Sequence, residues 1–173
     1  MRAQAFWKTA IMDDSDLLHD LISLLDENKA RYCVIGGQAV NAYAEPLVSL
    51  DLDIVIAAED LARVEELCRE VFIVERFPYG INLSKAESDL RVQIQTDPRY
   101  LNFPAHASLR NVLGIAPPVA RIEDVLQGKV WAVSDQTWRG SKRQKDLADI
   151  ARLLEKYPHL RNRVPTRILD LLI

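Results

Sequence analysis

At 173 residues with 49% hydrophobic side chains, the chain is long enough to bury one full core without disulfide or metal staples. Its two cysteines, Cys33 and Cys68, sit in apolar segments with no CxxC spacing, which reads as buried thiols of a reducing compartment and excludes a disulfide framework or structural zinc. The formal net charge of −3 argues against a general nucleic-acid coat, and no signal-peptide pattern or run of about 18 apolar residues occurs, so a cytoplasmic chain with no membrane contact is expected.

The stretch SDLLHDLISLLDENKA presents Leu17, Leu18, Leu21, Ile22, Leu24 and Leu25 as one apolar stripe behind the cap-type residues Asp13, Asp14 and Ser15, which predicts a first helix. YCVI at 32–35 reads as a short buried strand ending at Gly36 and Gly37; Gln38 to Ala44 then has helical composition and Pro46 closes it. LDLDIVIA predicts a second strand and EDLARVEELCREVF a helix, with Leu61, Val64, Leu67, Cys68 and Val71 at helical spacing. GINLS reads as a weaker strand, followed by LRVQIQT, where Leu90, Val92 and Ile94 alternate with Arg91, Gln93 and Gln95. From 97 to 119 Pro98, Pro104, Gly114, Pro117 and Pro118 predict loops. Helices are expected over Ile122 to Val133, Lys142 to Lys156 and Thr166 to Leu172. The fold class is therefore α/β (α+β): a small mixed β-sheet flanked by helices over 1–119, with a helical C-terminal segment, 120–173, packed on it.

Charge is unevenly spread. From Arg139 to Arg167 nine Lys/Arg face three acids, a local +6, which leaves −9 for the rest. A basic tail on an acidic body is a footprint for a phosphate-rich partner such as RNA, against the blander reading of basic residues on solvated helices.

The chemistry concentrates between 34 and 56. A strand's period of two puts Asp51 and Asp53 on one face, about 6.5–7 Å apart at Cα, with Leu52 and Ile54 on the other. Two convergent carboxylates suit magnesium, a hard cation commonly held by one or two carboxylates plus substrate phosphates. Gly36 and Gly37 let backbone approach a triphosphate, and the helix behind them aims N–H groups at it. The rival dinucleotide fingerprint fails, because after Gly36 the chain reads Gly-Gln-Ala-Val-Asn. Either piece alone is commonplace: Asp-x-Asp is usually a solvated pair and Gly-Gly a turn.

Hydrophobic-Gly-Gly, thirteen residues, then Asp-hydrophobic-Asp-hydrophobic resembles the signature of the nucleotidyltransferase superfamily with the DNA polymerase β-like catalytic fold. Together with the later LQGKVWA and SKRQKDLADIARLL, it is similar to the minimal AbiEii-type nucleotidyltransferases of toxin–antitoxin and phage-defence systems, over roughly residues 15 to 156. The resemblance implies magnesium on Asp51 and Asp53, the NTP triphosphate on Gly36 and Gly37 with Ser49 beside a phosphate, Lys129 as a phosphate-contacting helix lysine, and Lys145 with Asp146 as a Lys-Asp pair near the site. It also implies an acceptor hydroxyl on RNA, a protein or a small molecule, and an antitoxin partner. The blander alternative makes Lys142 with Asp146, and Lys145 with Asp149, i,i+4 pairs on a solvated face.

Two positions depart from the pattern. Leu47 stands where many relatives carry an arginine, and Gln93 where the superfamily often places a third carboxylate. Glutamine can ligate through its carbonyl but cannot accept a proton. Either two aspartates suffice, or Asp89 or Asp97 substitutes from the same strand, or the chain is a catalytically silent binder of nucleotide or partner. His19, His106 and His159 lack ligand spacing, and Trp131 and Trp138 read as packing residues or base-stacking platforms.

Overall fold

The computed structural model describes residues 17–137 and 139–172. The cap residues Asp13, Asp14 and Ser15, and Trp138, lie outside them. The leucine stripe forms α1 (17–27), and its Leu17, Leu21 and Leu25 are wholly buried. The fully buried β1 (Tyr32–Ile35) runs straight into α2 (Gly36–Tyr43). The glycine pair is thus the first turn of the helix rather than a turn before it. β2 (Asp51–Ile56) and α3 (Ala58–Val71) fall where the patterns place them.

β3 (Ile73–Phe77) was not legible: IVERF lacks apolar alternation, and four of its five residues are exposed because it is an edge strand. It pairs as a hairpin with β4 (Gly80–Ser84), which pairs with β5 (Arg91–Gln95). The 97–119 segment holds two 3₁₀ turns, Pro98–Tyr100 and Phe103–His106, and the two-residue strands β6 (Ser108–Leu109) and β7 (Pro118–Val119). The seven strands form one mixed sheet in the order β3-β4-β5-β2-β1-β7-β6, with β2–β5 and β1–β7 parallel and the other pairs antiparallel.

Helices α4 (Ile122–Ser134) and α5 (Gly140–Lys156) follow, then a 3₁₀ segment (Pro158–Arg163) and the single-turn α6 (Thr166–Leu169), shorter than expected. Tyr43 Oη donates to the Ala120 carbonyl at 2.8 Å and Tyr157 Oη to the Tyr43 carbonyl at 3.1 Å, tying α2 to the helical third. Among the described residues no helix is long and apolar enough to cross a membrane.

Candidate active site

Parallel pairing of β2 with β5 sets Asp51 opposite Arg91 and Asp53 opposite Gln93. All four share one face of the sheet, while Leu52 and Ile54 are buried on the other. The third position is therefore Gln93 by register, beside Asp53. Asp89 and Asp97 both lie outside the β5 residues paired with β2, and both Asp97 carboxylate oxygens are engaged by Arg99, whose backbone N–H also donates to Oδ1 at 2.9 Å.

Gly36 meets this face from β1. Its φ is +68°, the left-handed region that side chains disfavour, and a Cβ there would lie 2.3 Å from Asp53 Oδ2. The missing side chain is what lets the start of α2 close over the carboxylate. Gly37 is open, with nothing within 4 Å of where its Cβ would be. Ser49 Oγ accepts the Asp51 N–H at 3.2 Å, and its carbonyl accepts from Gln38 Nε2 at 2.9 Å, so the entry to β2 is held on α2.

A cavity of about 580 Å³ opens over these residues, with Gly37, Ser49, Asp51, Asp53 and Gln93 on the sheet side and Lys129, Lys142, Lys145 and Asp146 on the helical side. A smaller one of about 110 Å³ lies against Gly36, Asp53 and Lys129. Of the eight residues singled out in the sequence, Gly37, Ser49, Asp51, Asp53, Lys129, Lys145 and Asp146 line the larger cavity, and Gly36 lines the smaller one, which shares Asp53 and Lys129 with it. Burial pushes the Asp53 carboxyl above its ordinary range, and Asp51 adds to this, against the opposing pull of Lys129, Lys142 and Lys145. Two carboxylates on one strand face are hard oxygen donors of the kind that magnesium takes together with substrate phosphates.

The solvated-face reading of α5 does not hold. Asp146 and Asp149 are buried, and Lys129 Nζ lies 2.8 Å from Asp146 Oδ1 and 2.8 Å from Asp149 Oδ2. Asp149 Oδ1 also takes Arg152 Nη1 at 2.8 Å, and Arg152 Nη2 reaches Asn41 Oδ1 at 2.8 Å and the Glu45 carbonyl. Burial alone would lower the Lys129 pKa, but Asp149 and Asp146 outweigh it and raise it, so the ammonium stays charged. Lys129 reaches the cavity as the centre of an ion network joining α4 and α5.

Trp131 lines neither cavity; it stacks on Phe103 at 6.0 Å, with Arg99 4.8 Å over its ring, which is a packing role. Sequence reasoning missed two residues. Arg91 Nε pairs with Asp51 Oδ1 at 2.9 Å, and its alternation with Gln93 was the available signal. Lys142, read as part of a tail, faces the aspartates; burial lowers its pKa, which Asp53 partly offsets.

No family model and no curated protein matches the chain. Among solved structures it is similar to the antibiotic-resistance factor ANT(2'')-Ia (TM-score 0.61, 16% identity, 90% of this chain and 93% of that one). It is also similar to the lincosamide antibiotic adenylyltransferase LnuA (0.54, 14%, 79% and 95%). An antigenic nucleotidyltransferase-like protein from Paracoccidioides brasiliensis matches as well (0.53, 18%, 83% and 76%). The chain has the nucleotidyltransferase fold.

Proposed function

We propose that the protein transfers a nucleoside monophosphate from an NTP to an acceptor hydroxyl with magnesium. One observation carries this reading: Asp51 and Asp53 share a strand face against which Gly36 packs, beneath a cavity walled by Lys129, Lys142 and Lys145. Asp51 and Asp53 would hold the ion, which when bound supplies charge neutralisation of the triphosphate and of the leaving pyrophosphate. The open backbone at Gly37 and the α5 lysines bind and orient the phosphates. The acceptor oxygen bonds to the α-phosphorus, the bond to the bridging oxygen breaks, pyrophosphate leaves with the electron pair, and the hydroxyl proton passes to solvent.

A small hydroxyl-bearing molecule is the favoured acceptor, since ANT(2'')-Ia is found with adenylyl-2''-tobramycin and LnuA with lincomycin. An RNA or protein acceptor on the basic C-terminal region draws less support, because Arg152 is engaged inside the fold and Lys142 faces the cavity. The toxin–antitoxin role rests on the AbiEii-type resemblance, and its test is growth arrest on expression, relieved by a neighbouring gene product.

The second reading, a silent nucleotide binder, is favoured by Gln93 and by the Arg91–Asp51 pair. Calorimetry with a non-hydrolysable NTP and magnesium tests both. Asp51→Asn and Asp53→Asn should each weaken binding at least tenfold while thermal unfolding stays near that of the parent; undiminished binding in both removes the site. Pyrophosphate release with small hydroxylated acceptors separates the transferase from the silent binder.

A further inference from the structure

Two divalent ions need more anionic ligands than this site offers. Among the described residues no group of three or more carboxylate, histidine or cysteine side chains could hold a metal, and Gln93, the register partner of Asp53, brings no charge. Of the other carboxylates lining the cavity, Asp146 is already committed to Lys129 through Oδ1, and Glu75 stands on β3, separated from β2 by β4 and β5. Asp51 is not free either, because Arg91 Nε sits 2.9 Å from its Oδ1.

Arg91 is placed for more than a surface ion pair. It stands two residues before Gln93, on the same strand face and beside the aspartates, and it lines the same cavity as Gly37, Lys142 and Lys145. Its side chain is 76% exposed, so the guanidinium can swing without unpacking anything. Guanidinium forks bind phosphate in two parallel hydrogen bonds and keep their charge at any working pH. The neutral side chain of Gln93 and the fixed positive charge of Arg91 two residues away bias the site's electrostatics in the same direction.

We propose that Arg91 takes the place of a second divalent ion: Asp51 and Asp53 hold one ion only, and the Arg91 guanidinium supplies the remaining positive charge to the nucleotide's phosphates. The proposal rests on the nucleotidyltransferase reading. It implies two opposite effects of one substitution. Without nucleotide, Arg91 competes with metal for Asp51, so its removal tightens metal binding. With nucleotide, it is a phosphate contact, so its removal weakens nucleotide binding. A guanidinium that merely neutralised Asp51 would produce the first effect without the second.

The test counts bound Mn²⁺ per chain by electron paramagnetic resonance, with and without a saturating α,β-methylene NTP analogue, and measures analogue affinity by calorimetry. Wild type should hold one ion in the ternary complex. Arg91→Ala should bind Mn²⁺ more tightly alone and the analogue about ten- to a hundredfold more weakly. Arg91→Lys should recover part of the loss, and the Arg91→Ala, Gln93→Asp double variant should hold two ions. Two ions in wild type, analogue affinity indifferent to Arg91→Ala, or a double variant that still holds one ion overturns the proposal alone. A wild type that binds neither Mn²⁺ nor the analogue overturns the nucleotidyltransferase reading with it.

Discussion

Gly36 concentrates two constraints in one residue. A side chain there needs a backbone conformation that costs about 1–2 kcal/mol for an L-residue, and its Cβ would collide with Asp53 Oδ2. Turning the carboxylate aside does not clear the contact, since Asp53 Cβ would also lie 3.1 Å away and its strand is paired on both sides by β1 and β5. Gly36→Ala should therefore lower stability by at least that amount and cut NTP-analogue affinity tenfold or more. Gly37→Ala is the matched control: it sits in open space in the first turn of α2, where alanine is favoured over glycine by up to about 1 kcal/mol. Its melting temperature should hold or rise, so any loss of analogue affinity reports backbone approach to the phosphates. Chemical denaturation and calorimetry on both variants check this. The aspartates and glycines were legible because their spacing is local. Arg91 was not, since β2 and β5 are separated by about forty residues and only their parallel register reveals the shared face; Lys142 was not, since only the packing of α5 over the sheet brings it to the aspartates.

Helices were the legible elements, and their errors fall at the ends, as with α6. The edge strand β3 escaped notice because its stability comes from pairing and from contacts with α3 that no periodicity reports. Glu65, buried on α3, accepts Arg76 Nη2 of β3 at 2.6 Å and Arg69 Nη2 at 2.9 Å. The Arg76 hydrogen bonds, against the opposing effect of burial and with help from Arg69, hold the Glu65 carboxyl below its ordinary value of 4.5. A carboxyl whose pKa is depressed by folding stabilises the fold above its unfolded pKa, and that contribution disappears as pH falls through the folded value. Glu65→Gln should therefore cost about 1–2 kcal/mol at pH 7, and the gap from wild type should narrow below about pH 4. Urea denaturation at pH 7, 5 and 3.5 measures it. A gap constant with pH would show that Glu65 acts through packing and not through its charge.

At the scale of the molecule, the boundary near 119 drawn from the order of predicted elements falls inside a continuous packing arrangement. One cluster of buried side chains joins Leu21 of α1, Ile54 and Ile94 of the sheet, Val130 of α4, and Ile150 and Leu153 of α5. The Ala120 N–H, just past β7 and the boundary, donates to the Val34 carbonyl of β1 at 3.0 Å. The Lys129 network then bolts α4 to α5, and Arg152 bolts α5 to α2. Breaking a buried pair by removing one partner leaves an uncompensated charge, so these links make separation of the two segments costly. The helical third should accordingly not melt on its own. Calorimetry of the full chain should give a single transition with a ratio of van't Hoff to calorimetric enthalpy near 1, at the same midpoint by far-ultraviolet circular dichroism and by tryptophan fluorescence. A chain ending at 119 should fail to show a cooperative melt, because it would strip α4 and α5 from α2 and leave the Tyr43 hydroxyl without its acceptor at Ala120. Two resolved transitions in the full chain, or a cooperative melt of the shortened one, would make 1–119 and 120–173 separate folding units.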